Sequence, residues 1–582
     1  MNRSTSTILK LIACAAFSCF FDYSAQAANS FTVNLDPSNP GRTIPIEYNG
    51  LSVEMSDVCS ATPDTSGTAD GMVNSNWNHG CANDKNVPGP NEGILGVGSD
   101  NPLTSASAQI FQNNFAKLIK RLGIKNIRVG GSSADDVSKW TYPPLQTAKN
   151  IIDFAKKIGL TELEWNLPIR YIDIKTYATY AVALLQYKES VYPSLKLIFE
   201  IGNEDNNASW SYADWSNGFG SYISAIYAAT PSSLQSKLFF TGPSTSAQQW
   251  DSKIVADPLF TTDRISGNTV TGAKSKVVYV NTHNYPFQGG GPWGYGALSP
   301  CPEAITPAAT AAATAAKVTA VTCTDLVKNL LSSGAGDPYN FIADMAKAGL
   351  PSRLMETNSM WGGGIEGAGD SYAAALWALN YESWLAQNTN VAGVNLQLGA
   401  TNGGYSEITP PFTTGTGVNA SPTLKATGYA MLAFSQFNQG GKIINPTIVG
   451  SHPRVDIYGS LQPNGHLRLL MINKNWTSNG DNSAGGSNGA IAKVAVPKAY
   501  TYATTMTLQQ KSNDPTALNG ISFGGSEVAT DGSWNAIWSI PVSPNKDGTF
   551  TIAVPPVQAV LVDFSNFDLQ AATELLKTIP TK

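Results

Sequence analysis

A (β/α)8 barrel accompanied by an antiparallel β-sandwich, an α/β fold overall, is the architecture this 582-residue sequence predicts. Three observations predict it. Between about residues 50 and 440, eight short apolar runs alternate with stretches of helical periodicity, the arithmetic of eight strand–helix units with insertions. After Gly440 the texture changes to short strand-like segments broken by Gly, Asn, Ser and Pro, which reads as a sandwich. No glycine-rich phosphate loop follows the first run, which disfavours the alternative of an open doubly wound sheet.

Taken in chain order, residues 1–27 read as an export signal. Arg3 and Lys10 give a positive start, 11–21 is an apolar core too short to span a bilayer, and Ala25-Gln26-Ala27 supplies a small-x-small cleavage pattern, placing the mature start near Ala28. The mature chain is thus expected in the periplasm or the medium, with no membrane segment. Residues 28–46 hold a strand at 31–35 expected to join the sandwich. The barrel is assigned to 47–440. Its runs are 50–56, 125–131, 163–169, 195–204, 237–244, 276–285, 352–359 and 391–399. Helical patterns lie between them, for example at 108–122, 149–158, 176–187, Tyr212–Ala229 and 373–386, and a last one at 423–437 follows the eighth run. In the first, Ile110, Phe111, Phe115, Leu118 and Leu122 recur at helical spacing. The Ala/Thr-rich 308–317 reads as a surface helix or linker. The sandwich is assigned to 441–565, with strands such as 455–460, 467–473, 492–497 and 549–554. In the tail, 566–582, a short helix is expected at 569–578.

Composition narrows the function classes. With 37 basic and 42 acidic residues the chain carries a net charge of −5, which argues against a nucleic-acid binder. Only 14% of residues are charged, while there are 53 Gly, 13 Trp and 22 Tyr, a balance suited to an exported protein with a neutral or sparsely charged ligand such as a glycan. Beyond the leader four cysteines remain, an even number that suggests disulfides in an exported chain. Cys59 and Cys81 are 22 apart, as are Cys301 and Cys323, so these are the expected pairs. Each bridge would contribute roughly 3 kcal/mol in the chain-entropy model. A metal site is the alternative, but CxxC spacing is missing and His79, His283, His452 and His466 form no HExxH or HxxxH arrangement. Neither a G-x-S-x-G elbow nor a phosphate loop is present, and no cofactor is implied.

Chemistry in such a barrel sits at the C-terminal ends of the strands. The fourth run ends in Asn203-Glu204 and the seventh contains Glu356. Two acids finishing strands on opposite sides of the mouth can face each other across a cleft, as glycoside hydrolysis requires: a protonated carboxyl for the leaving oxygen and an ionised carboxylate toward the anomeric carbon. Like charges at that range raise one pKa, which keeps the acid protonated near neutral pH. A lone strand-end Glu is usually solvated or caps a helix; two at strands four and seven make that reading the weaker one. Glu200, inside its strand, reads as a supporting residue.

Asn203-Glu204 with Glu356 resembles the signature of the retaining glycosidase clan built on this barrel. More narrowly, Glu356-Thr357-Asn358-Ser359-Met360-Trp361-Gly362-Gly363-Gly364 resembles glycoside hydrolase family 79, the heparanase and β-glucuronidase family. Ile127-Arg128-Val129-Gly130-Gly131-Ser132-Ser133-Ala134-Asp135 and Leu51-Ser52-Val53-Glu54 support it, and the resemblance runs over residues 30–565. It implies Glu204 as acid/base, Glu356 as nucleophile, and Asn203 as a partner of the sugar 2-hydroxyl, a contact that strengthens in the transition state. It implies that Tyr285 hydrogen-bonds the nucleophile; a plain aromatic lining the cleft is the alternative. Glu54 and Asp135 are candidates for sugar hydroxyls, or else structural carboxylates bonded to backbone N–H groups or Arg128. Recognition of a uronate would use the backbone amides of Gly362, Gly363 and Gly364 and the phenol of Tyr405. Trp361 stands where the family often has Tyr, offering an indole N–H instead.

The function expected on this resemblance is exo-β-glucuronidase action on a glycan or glycoconjugate ending in glucuronic acid. The proposed disulfide loops, after strands one and six, would wall off one end of the cleft, and no basic cluster stands beside the mouth for a sulfated chain. Alternatives are heparanase-like endo-cleavage, a retaining glycosidase of the same clan acting on another sugar (a β-glucoside or an arabinofuranoside), and a non-catalytic glycan-binding protein.

Overall fold

The computed structural model describes residues 30–58, 106–135, 142–170, 172–207, 210–246, 248–261, 264–265, 268–269, 276–287, 304–305, 321–332, 340–361, 363–398, 404, 407–409, 412–413, 417–418, 421–450, 454–477 and 488–566. The leader, Cys59, Cys81, Cys301, the segment 308–317, Gly362, Tyr405 and the tail helix lie outside the described residues. Cys323 is disulfide-bonded.

The first strand, β1 (Ser30–Asn34), is followed by eight strands that close into a barrel: β2 (Asn49–Glu54), β3 (Asn126–Gly130), β4 (Glu162–Leu167), β5 (Lys196–Ile201), β6 (Phe240–Thr245), β7 (Val277–Asn284), β8 (Ser352–Thr357) and β9 (Val394–Leu398). Five fall within the predicted apolar runs and the other three, β2, β4 and β6, overrun theirs by one residue; every neighbouring pair is parallel, β9 closing on β2. The runs were visible because strands with helices outside and a packed interior inside are buried on both faces.

The outer ring is built from α1 (Ala106–Arg121), α2 (Leu145–Ile158), α3 (Ile174–Val191), α4 (Tyr212–Ala229), α5 (Cys323–Ser332), α6 (Asn340–Lys347), α7 (Tyr372–Asn388) and α8 (Ala426–Asn438). Local chemistry sets several of their ends. The α4 start carries a reciprocal Ser211/Asp214 capping box. The Asp173 side chain caps α3, and α2 stops at left-handed Gly159. After β6 the crossover is irregular, with two short helices, Asp251–Ala256 and Pro258–Thr261, where no periodic pattern stands in the sequence.

The barrel interior is polar in layers. In the lower one Arg353 donates to Asn395 (2.7 Å), Asn395 to Asn126 (2.7 Å) and Asn126 to Glu164 (2.7 Å), with the Tyr279 hydroxyl also on Glu164. Burial pushes the Glu164 carboxyl up to about 7. In the upper one Arg128 meets Glu200, which also accepts from Asn166, Asn281 and Ser244. The Arg128 and Glu200 side chains are each 0% exposed. Such a buried pair contributes little net stability, but breaking it costs about 3–5 kcal/mol because one charge is left unmatched.

After the barrel come β10 (Lys442–Ile444), β11 (Thr447–Gly450), β12 (Val455–Leu461), β13 (Leu467–Asn473), β14 (Ala490–Ala495), β15 (Tyr502–Gln510), β16 (Ile521–Phe523), β17 (Thr549–Val554) and β18 (Gln558–Ser565). They form a four-stranded sheet, β11-β1-β14-β17, and a six-stranded sheet, β10-β12-β13-β18-β15-β16. Phe31, Val33, Leu467, Leu469, Phe550 and Val562 fill the space between the sheets. The sandwich is not wholly antiparallel: β1 pairs parallel with β14, Val33 opposite Val494. Its partner lies some 460 positions away, so no hairpin dictates its direction. The outer face of the larger sheet is covered too. Leu470, Ile472 and Leu561 share a core with Trp377 and Met431 of α7 and α8. Among the described residues, no helix is long and apolar enough to cross a membrane.

Candidate active site

Glu204 and Glu356 meet at the C-terminal mouth of the barrel, and each reaches it through a departure from regular backbone. In β8, Arg353 pairs with Asn281 and Leu354 with Thr282, but Glu356 rather than Met355 pairs with His283. The extra residue is a β-bulge, and the pairing of β8 with β9 shifts at the same place. Asn281 and His283 point inward, so the bulge brings Glu356 into phase with them; in unbroken register Met355 would take that place. At the end of β5 the chain turns through Gly202 (φ +84°) and Glu204 (φ +52°). A Cβ on Gly202 would stand 2.3 Å from Asp205 Oδ2, which requires glycine there. Left-handed backbone at Glu204 costs about 1–3 kcal/mol and persists only because its surroundings determine it: its N–H donates to the Ser244 carbonyl at 2.9 Å.

His283 stands between the two carboxylates, with Nδ1 2.9 Å from Glu204 Oε1 and 3.7 Å from Glu356 Oε2. One donor atom from each of the three lies within 4.8 Å of the other two. Glu356 is the more enclosed acid, its side chain 13% exposed against 26% for Glu204. Tyr285 donates its hydroxyl to Glu356 Oε1 at 2.8 Å, and Arg128 donates to Glu356 Oε2 at 2.6 Å. The same guanidinium donates to Asn203 Oδ1 at 2.6 Å and to Ser52 Oγ at 3.2 Å. It therefore ties the residue beside Glu204 to Glu356.

The electrostatics follow from these contacts. Burial alone would push the Glu356 carboxyl up, but the charges of His283 and Arg128 and the hydrogen bonds from Tyr285 and Arg128 outweigh it and hold the group below the usual carboxylate range. For His283 burial works downward, and the Glu356 charge with the Glu204 contact prevails, raising the imidazole above its ordinary value. Glu204, His283 and Glu356 are also close enough to hold a metal ion. Both Glu356 oxygens, however, already accept from fixed donors, an arrangement that suits a free carboxylate kept ionised.

Of the other candidates, Glu54 ends β2, and its carboxylate lies where a Cβ on Gly131 (φ +92°) would stand, 1.8 Å from Oε2. Asp135 ends the short helix Ser132–Asp135, after β3. Beyond β7 and β8 the two chains stay together: Phe287 N donates to Ser359 O (3.0 Å) and Trp361 N to Phe287 O (3.3 Å), leaving Trp361 half-buried. Gly363 accepts from Gly404 N at 2.8 Å and Gly364 bridges to Gly404, so these two glycines lie against Gly404.

His283 and Arg128 were not singled out as site residues from sequence. The signal was there in period two: Asn281, His283 and Tyr285 alternate along the end of β7 and all three reach the interior network. Arg128 stands between the apolar Ile127 and Val129 in the middle of a buried strand, a position where an arginine has to be paired.

No protein-family profile matches the sequence, and no curated protein matches it. Solved structures do match. A family 51 arabinofuranosidase from Xanthomonas axonopodis pv. citri has TM-score 0.54 at 13% identity, over 92% of this chain and 99% of that one. The α-L-arabinofuranosidase AbfB from Bifidobacterium longum has TM-score 0.55 at 12% identity with the same coverage. A monomeric β-xylosidase from Caulobacter crescentus CB15 has TM-score 0.50 at 13% identity, over 92% and 100%. At these identities the likeness is one of fold, across nearly the whole length of each chain.

Proposed function

We propose that this protein is a retaining glycoside hydrolase in which Glu356 is the nucleophile and Glu204 the acid/base. The observation that carries the reading is the facing pair itself, carboxylate oxygens within 4.8 Å of each other at the barrel mouth. Retaining enzymes hold their two carboxyls about 5–5.5 Å apart, inverting ones about 6.5–9.5 Å to admit a water. Glu356, kept ionised by Arg128, His283 and Tyr285, attacks the anomeric carbon. Glu204 gives its proton to the leaving oxygen, then takes one from the water that releases the sugar. Asn203, oriented by Arg128, is placed for the 2-hydroxyl.

For the sugar we propose first a neutral terminal pentose, arabinofuranosyl or xylosyl. The fold neighbours are named for those activities. The second reading, release of terminal β-glucuronic acid by a member of glycoside hydrolase family 79, is favoured by the run from Glu356 to Gly364. Export, the Cys301–Cys323 and Cys59–Cys81 pairs, and the division into barrel and sandwich domains belong to the same proposal.

Hydrolysis of nitrophenyl α-L-arabinofuranoside, β-xyloside, β-glucoside and β-glucuronide, with the first product's anomer read by NMR, tests this. A pentoside cleaved best with retention is expected. A glucuronide cleaved alone replaces the first sugar reading by the second. An inverted product, or full activity in Glu356→Ala, removes the mechanism.

A further inference from the structure

We infer that Arg170 is a positioning residue for Glu204, acting through Asp205; this deepens the acid/base reading and rests on it. The turn that carries Glu204 is clamped on its incoming side by contacts already described to β3 and β6, and also to β4. Gly202 N donates to Leu167 O at 3.0 Å, and Asn166 Nδ2 donates to Gly202 O at 2.7 Å. On the outgoing side the chain enters Asp205, whose carboxylate folds back beneath Gly202 with no exposed side-chain surface. Its Oδ1 lies 3.0 Å from Nε of Arg170, three residues beyond the end of β4, whose side chain is 18% exposed.

A carboxylate taken out of water needs a matching charge, and removing one partner of such a pair leaves the other to seek solvent. Asp205 reaches solvent only by unfolding the turn, and the residue immediately before it is Glu204, whose left-handed backbone has no preference of its own to stay. Glu356, by contrast, stands on a different strand with its own donors. Losing the Arg170 charge should therefore spare nucleophilic attack and impair proton transfer.

The test uses the full chain and aryl glycosides of whichever sugar the wild type cleaves. In Arg170→Gln, kcat/KM on the phenyl glycoside, a poor leaving group that needs the proton, is expected to fall about 10- to 100-fold. On the dinitrophenyl glycoside, which leaves unaided, it is expected to change by less than about 3-fold. Azide, a nucleophile that needs no general base, should speed the variant and not the wild type. Arg170→Lys should recover most of the loss, and thermal unfolding of each variant reports folding. If Arg170→Gln does not fold, adding Asp205→Asn, which removes the buried charge altogether, is expected to restore folding and most of kcat/KM on the phenyl glycoside; a double variant that stays unfolded, or that loses equally on both leaving groups, would overturn the inference. In Arg170→Gln itself, equal losses on both leaving groups, or none, would overturn it. A wild type inert on every aryl glycoside would overturn the glycosidase reading and this one with it.

Discussion

Tyr285 and Arg128 hold opposite oxygens of Glu356, and that division gives a titration with a definite sign. Donors to the ionised form lower the carboxyl's pKa, so Glu356 stays charged below its ordinary value of 4.5. It thus contributes stability that is fully present above pH 4.5 and is lost as the pH falls through its lowered folded value. Tyr285→Phe removes one donor and nothing else from that oxygen. The acid limb of the kcat/KM profile is expected to move to higher pH, with activity near neutrality reduced much less than at the acid end. A limb that stays in place or moves lower would show that Tyr285 does not tune this group. Glu204 and Glu356 were legible in the sequence because strand-end acids in a barrel have one obvious place to face. The imidazole between them was not: a histidine with no second ligand at metal spacing reads as one more core residue until the strand's period-two alternation is followed through Tyr285.

At the scale of elements, two backbone irregularities aim the acids, and neither could be read from residue pattern alone. The bulge in β8 places apolar Met355 beside Glu356, and nothing in Leu354-Met355-Glu356 announces an extra residue; the pairing with β7 and β9 does. The turn at Gly202 is more accessible to test. Gly202→Ala puts a Cβ into the Asp205 carboxylate at positive φ. It is expected to cost about 1–3 kcal/mol in chemical denaturation and to lower activity in the leaving-group-dependent manner expected of Arg170→Gln. Unchanged stability would mean that the turn accommodates the methyl group and that its shape is not tightly set. The helices were legible to within a few residues where their stripe is apolar on one side. Buried α7 has no such one-sided stripe in the structure, since nearly all its residues are apolar or enclosed.

Across the whole molecule, the eight barrel strands were readable because a closed parallel sheet encloses each strand on both faces, so runs rich in apolar residues recur even though polar side chains fill layers of the interior. The junction with the sandwich was not, because its hydrogen bonds are made by loops. Tyr372 N and Ala373 N donate to the carbonyls of Ala517 and Pro515, and Val528 N donates to the Tyr429 hydroxyl. Arg121 donates to Gly532 O and lies over the Trp534 ring. With Leu470, Ile472 and Leu561 sharing the core of α7 and α8, the larger sheet acts as a wall of the barrel. A fragment comprising residues 28–440 is accordingly expected to aggregate or to lack a cooperative thermal transition, since its two last helices would expose an apolar face. A soluble, active fragment would show that the sheets only adorn the barrel.

The central claim is that Glu356 forms a covalent bond to the sugar while Glu204 moves the proton. Labelling with a 2-deoxy-2-fluoro glycoside of the cleaved sugar, followed by peptide mass spectrometry, tests it most directly, because the fluorine slows release of the glycosyl-enzyme. One sugar per chain on the peptide containing Glu356, and none in Glu356→Ala, is the predicted result. Label on a different carboxylate, or turnover of the reagent with no adduct and an inverted product, would contradict the account.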